Sequence, residues 1–111
     1  MKSDKIYIQH ILDMIGRVES ATGEGKDAFL ASELHQDAVL RNLHTVTETT
    51  QRLSDDLKQA YPDVEWKMLA AFRNVLVHDY LGIDLELVWT VITRDIPEFK
   101  KKIVEILEEV E

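Results

Sequence analysis

Arg73, Asn74, His78 and Tyr80 fall in one short, otherwise largely apolar run, Arg73-Asn-Val-Leu-Val-His78-Asp-Tyr80. Histidine both takes and gives a proton near neutrality, because its unperturbed pKa is about 6.5. Arginine is always charged, and its planar fork matches two oxygens of a phosphate. Asn74 precedes His78 by one helical turn, so it can orient the imidazole or hold a phosphate oxygen. Arginine and histidine at this spacing are common, however. A histidine near a helix end also serves as a capping or packing group, and a tyrosine there as an ordinary amphipathic residue.

Those side chains need an element to hold them. Pro62 breaks the preceding structure, and Asp63 is expected to cap a helix running from about Val64 to Tyr80 and ended by Gly82. At about 100° per residue, Met68, Leu69, Phe72, Val75 and Leu76 gather on the side facing a core. Arg73 and Tyr80 share one flank, and Asn74 and His78 the other. Val77 and Leu81 lie between the flanks, opposite the core. An aliphatic outer face framed by polar groups is usually covered. A second copy of the helix across a two-fold axis would cover it, as would another helix of the same chain.

The remaining apolar residues also recur at helical steps, with no long alternation that would suggest a sheet. A first helix is predicted over about Ser3–Ser20, with Ile8, Ile11, Leu12, Ile15 and Val18 inward. A short turn follows at Lys26–Ala31. A long helix capped by Ser32 is predicted over Glu33–Ala60, with Val39, Leu43, Val46, Leu53 and Leu57 inward. Asp84 is expected to cap a helix carrying Leu87, Val88, Val91 and Ile92. Asp95 and Pro97 mark either a separate last helix to about Val110 or a kinked continuation. Short connections make consecutive helices antiparallel. The expectation is a single all-α domain over 1–111, an up-and-down four-helix bundle with an additional short helix.

The motif resembles that of HepT-like proteins of the HEPN superfamily, in which an arginine, four residues, a histidine, one residue and a tyrosine stand in order. Pro62-Asp-Val-Glu-Trp66 resembles the family's proline-to-tryptophan lead-in, and Leu85-Glu-Leu-Val-Trp89 its following helix. Arg73-Asn74 resembles its Arg-Asn pair, and Asp37-Ala-Val-Leu-Arg41 its second-helix motif. The likeness covers roughly residues 5 to 105. One departure stands at Val46-Thr-Glu-Thr49, where the family reads Ile-Gly-Glu-Ala; Glu48 is retained and Thr47 replaces the glycine.

The resemblance implies a metal-independent endoribonuclease without a cofactor, its site composed at a homodimer interface from Arg73 and His78, supported by Asn74, Arg41 and Glu48. It also implies the toxin half of a prokaryotic toxin–antitoxin pair, silenced when a nucleotidyltransferase (MntA-like) antitoxin transfers AMP to Tyr80. Cleaving RNA through its own 2′-hydroxyl needs a base and an acid, and a symmetric pair of His78 side chains supplies both. Arg73 would stabilise charge on the phosphate.

The net charge of −8 pulls against this reading, because nucleic-acid binding normally leaves a basic footprint. Any RNA site must then be a local patch or one composed by two subunits. A non-catalytic dimeric subunit that holds a nucleotide or a nucleotidyltransferase is the alternative. On the second helix Asp37, Arg41, His44 and Glu48 form one polar stripe, which reads as a solvated ladder; the resemblance implies instead that Arg41 and Glu48 approach the motif at the dimer interface. Asp37 and His44 are two turns apart without a third strong ligand, so no metal site is expected. His10 and His35 have no evident partners, and Trp66 and Trp89 read as core anchors. The absence of cysteine excludes disulfides. No signal peptide or membrane span is evident, and a cytoplasmic protein is expected.

Overall fold

Helical periodicity carries through to the computed structural model, which describes residues 2–78 and 82–110; every element among them is helical. α1 (Lys2–Ala21) turns Ile8, Ile11, Ile15 and Val18 fully inward. Its end is closed by Thr22, whose hydroxyl donates to the Val18 carbonyl at 2.8 Å. Gly25, at φ 99°, occupies the left-handed region that glycine tolerates and opens the short α2 (Lys26–Ala31). Ser32 then caps α3 (Glu33–Gln51), its hydroxyl accepting from the His35 N–H at 3.2 Å.

The single long helix predicted over Glu33–Ala60 is broken. α3 stops at Gln51, and α4 (Asp55–Ala60) starts after Ser54. The cause lies elsewhere in the chain. Asp4 is buried at 3% exposure and accepts from both the Ser54 N–H (2.9 Å) and its hydroxyl (2.7 Å). Ser54 in turn caps α4 by accepting from the Leu57 N–H at 3.1 Å. Leu53 and Leu57 stay buried on either side of this break.

α5 (Trp66–His78) begins two residues later than predicted. Asp63, expected to cap it, makes no side-chain cap hydrogen bond among the described residues; its backbone carbonyl accepts from Lys102 Nζ instead. The expected end of this helix, at Tyr80 and Leu81, lies outside the described residues. Asp84 caps α6 (Leu85–Thr90) as predicted, accepting from the Glu86 and Leu87 N–H groups at 2.9 and 3.3 Å. The chain then continues through a π-helical turn, Val91–Asp95, into α7 (Ile96–Val110), so the second start signal marks a continuation. Pro97 explains the wide turn: it has no N–H for the Thr93 carbonyl, and its ring crowds that carbonyl in a regular helix. Of the apolar residues expected along this stretch, Val88, Val91 and Ile92 are buried, whereas Leu87 is 42% exposed.

α3 packs on α1 and α5, and α1 packs on α7. The four-helix core is closed where Trp66 of α5 meets Phe99 of α7 edge-on, with ring centroids 6.4 Å apart. The Trp66 indole donates to the Tyr61 carbonyl at 3.0 Å, and Trp89 stacks obliquely on Phe29 at 5.5 Å. Both tryptophans are thus anchors of the bundle. Thr47 is buried, its hydroxyl bonded to the His44 carbonyl at 2.8 Å, and α3 still lies close against α5. Among the described residues no helix is long and apolar enough to cross a membrane.

Candidate functional site

Leu69, Phe72 and Leu76 are buried and seat α5 on the core, which turns Arg73 toward α3. There its Nε donates to Glu48 Oε1 at 2.7 Å. The same oxygen lies 3.4 Å from Nε2 of His44, one turn earlier on α3. That second contact has ion-pair distance without hydrogen-bond alignment, and His44 Nε2 is enclosed with no hydrogen-bond partner among the described residues. Arg73 Nη1 stands 3.5 Å from Asn74 Oδ1, at the outer limit of a hydrogen bond. The Arg73 hydrogen bond holds the Glu48 carboxyl below its ordinary range, against burial, with the charges of Arg73 and His44 adding to the effect.

Gripped through Nε, the guanidinium has one edge fixed, and Nη2 has no hydrogen-bond partner among the described residues. That leaves the edge suited to a phosphate available. Beside it a cavity of about 350 Å³ opens between α3 and α5, with Leu40, Leu76, Val77 and Ile83 forming its apolar wall and Arg41 and His44 its polar part. Val77, expected opposite the core and covered by a second copy or by another helix of the chain, is half-buried, flanked by residues of its own chain that leave this cavity open.

His78 is exposed at the end of α5. Five residues beyond Arg73, it points roughly 140° away around the helix. One chain therefore brings Arg73, Asn74, Glu48 and His44 together, with Arg41 exposed nearby, and leaves His78 apart from them. Tyr80 lies outside the described residues. Among the described residues the polar stripe of α3 is a ladder only between His44 and Glu48; across helices, Glu48 belongs to Arg73. Sequence reasoning assigned no role at the site to His44, Leu40 or Ile83. The four-residue step from His44 to Glu48 was the available signal.

An all-helical HEPN-like bundle carrying a paired arginine and an exposed histidine on one helix is the class that this fold and site define. The chain matches the family described as "Ribonuclease HepT-like" over residues 11–106, and it belongs to that family. It is 37% identical over 111 residues to a Methanocaldococcus jannaschii protein named "Gamma-glutamylcyclotransferase and putative RNase", with 99% of this chain aligned. The chain spans only 50% of that protein's length. It is 32% identical over 102 residues to the "Probable ribonuclease HepT" of Thermococcus cleftensis, covering 91% of this chain and 93% of that protein. A further M. jannaschii protein, named "Putative RNase", is 36% identical over 111 residues, covering 99% of this chain and 92% of its own. No solved structure matches.

Proposed function

We propose that the chain is an RNA-cleaving hydrolase, a metal-independent endoribonuclease whose site is completed by a second copy of itself. The observation that carries this reading is the guanidinium of Arg73, pinned at Nε by Glu48 with its outer edge available, on a helix that also ends in an exposed histidine. The family names of its relatives support the same reaction class.

In the reaction, His78 of one subunit takes the proton from a ribose 2′-hydroxyl, and the 2′-oxygen attacks the adjacent phosphorus. The bond to the 5′-oxygen breaks, and His78 of the partner subunit, protonated beforehand, donates to that leaving oxygen. The products are a 2′,3′-cyclic phosphate and a 5′-hydroxyl. Arg73 stabilises the charge on the non-bridging oxygens as the bonds change. Because His78 and Arg73 diverge within one chain, pairing two copies is the economical way to assemble them. The cavity over Val77, walled by Leu40, Leu76 and Ile83, leaves apolar surface for that contact. In the same reading the chain is the cytoplasmic toxin of a toxin–antitoxin pair. A nucleotidyltransferase antitoxin transfers AMP from ATP to the Tyr80 hydroxyl, releasing pyrophosphate and putting bulk and negative charge two residues from His78.

Purified protein mixed with RNA and a chelator tests the reaction. Cleavage is expected to survive chelation and to vanish in His78→Ala; cleavage unchanged in that variant would overturn the assignment. The acidity of the chain favours a second reading, a non-catalytic dimer that holds a nucleotide or a nucleotidyltransferase. Intact RNA together with tight binding of that enzyme would select it.

A further inference from the structure

Some cations of the bundle are engaged by carboxylates, and others, Lys67 and Lys101 among them, make no ion pair among the described residues. Lys26 pairs with Glu86 at 2.6 Å, Lys100 with Glu19 at 3.0 Å, and Arg94 with its neighbour Asp95 at 3.2 Å. Arg17 and Arg52, by contrast, are exposed and make no ion pair among the described residues. Both lie on the seam between α1 and α3. At one end of that seam a groove of about 470 Å³ runs over Gly16, with Arg17, Ser20, His35 and Asn42 on its sides. At the other end a groove of about 260 Å³ is lined by His10, His44, Glu48 and Arg52. Three of the four histidines therefore line this seam. His35 Nδ1 is enclosed there without a hydrogen-bond partner among the described residues.

The two carboxylates on the seam do not cancel its character. Glu48 is already committed to Arg73, which leaves Asp13 against two unpaired guanidinium groups. The seam also leads to the chemistry, since Glu48 forms part of its wall and holds Arg73.

We infer that the α1–α3 seam is the track for the sugar–phosphate backbone of a single RNA strand leading to Arg73, with Arg17 and Arg52 as its phosphate-binding residues. This rests on the RNA-cleaving reading and extends it to a substrate form. A shallow trough with separated cations suits a flexible single strand, whose unstacked nucleotides also reach the in-line geometry that 2′-hydroxyl attack requires. The track lies beside the α3–α5 cavity rather than in it, so it stays open when a second copy covers Val77.

The test uses a short single-stranded RNA made uncleavable by 2′-O-methyl riboses, with affinity measured by fluorescence anisotropy across a salt series. Each phosphate contact on a single strand contributes about 0.7 to the slope of log affinity against log salt. Arg17→Gln combined with Arg52→Gln is therefore expected to flatten the slope by about 1.4 and weaken binding at 0.1 M salt roughly 25-fold. With unmodified RNA, KM should rise while turnover at saturation stays at the parent value, because neither residue touches the reacting bond. Lys101→Gln, an exposed cation on α7, controls for net charge and should do little. A double variant with the parent slope, or equal weakening by Lys101→Gln, overturns the track while parent binding and cleavage uphold the enzyme. A parent protein that neither binds nor cleaves RNA removes both.

Discussion

The hydrogen bond between Arg73 and Glu48 is the contact on which the site's geometry turns, and its strength can be bounded. The atoms are 2.7 Å apart, and the two side chains are 31% and 33% exposed. Unit charges about 4 Å apart attract by about 4 kcal/mol at an effective dielectric near 20. Partial exposure, desolvation and lost rotamer freedom remove most of that: exposed pairs measure about 0.2–1 kcal/mol, and charged hydrogen bonds about 1.5–3. A coupling of about 1 kcal/mol lies between those ranges. Glu48→Gln keeps the shape and removes the charge, so its melting temperature should fall by about 4–8 °C. The assay is a thermal double-mutant cycle with Arg73→Gln, run at neutral and acid pH. The Glu48 carboxyl is held below its ordinary value of 4.5, so its contribution is full above that value and fades as pH falls through the lower folded value. Loosening the guanidinium should also lower kcat/KM by about 10- to 100-fold. Coupling below about 0.3 kcal/mol at pH 7, or coupling that stays constant into acid, would refute the reasoning.

Two other outcomes follow from the same geometry. If the reaction needs one His78 from each subunit, an equal mixture of parent and His78→Ala chains, unfolded and refolded together, should retain about one quarter of the parent activity, since only parent–parent dimers are complete. Retention of half would assign each site to one chain. Asp4→Ala leaves the Ser54 N–H and hydroxyl without their acceptor in a buried place. It should cost about 2–3 kcal/mol in denaturant unfolding, without changing the affinity for RNA. A loss below about 0.5 kcal/mol would mean that Asp4 does not hold the α3–α4 corner.

What could be read from the chain depended on how far apart the deciding residues stand. Ser32 and Asp84 act on N–H groups two or three residues away, and both caps were evident. The π turn was visible only as two competing start signals, because a proline specifies a missing donor but not how the helix absorbs it. The break at Ser54 was hidden because Val46, Leu53 and Leu57 keep helical step straight through it. The residue that stabilises it, Asp4, is fifty positions away. Glu48 presented the same difficulty. Read along α3 it completes a ladder with His44; only the packing of α5 shows that its main partner is Arg73, twenty-five positions on.

The acidity that weighs against RNA becomes less decisive once charges are sorted by what already engages them. On α7 and its surroundings, Lys100 is held by Glu19, Lys102 by the Asp63 carbonyl, and Glu109 by the Tyr61 hydroxyl, whose pKa that carboxylate and burial push up. Those groups would have to break existing contacts to serve a ligand. Arg17 and Arg52 on the seam, and Arg41 at the neighbouring α3–α5 cavity, have no carboxylate to leave among the described residues. A phosphate approaching the seam meets two guanidinium groups that cost little to engage, whereas on α7 it meets the glutamates at the chain's end and, of three lysines, only Lys101 without an ion pair or hydrogen bond among the described residues. Net charge then sets how weakly RNA is held at a distance, whereas the unpaired arginines set where it is held once it arrives. An enzyme built this way should bind RNA modestly, with strong salt dependence, and release it readily.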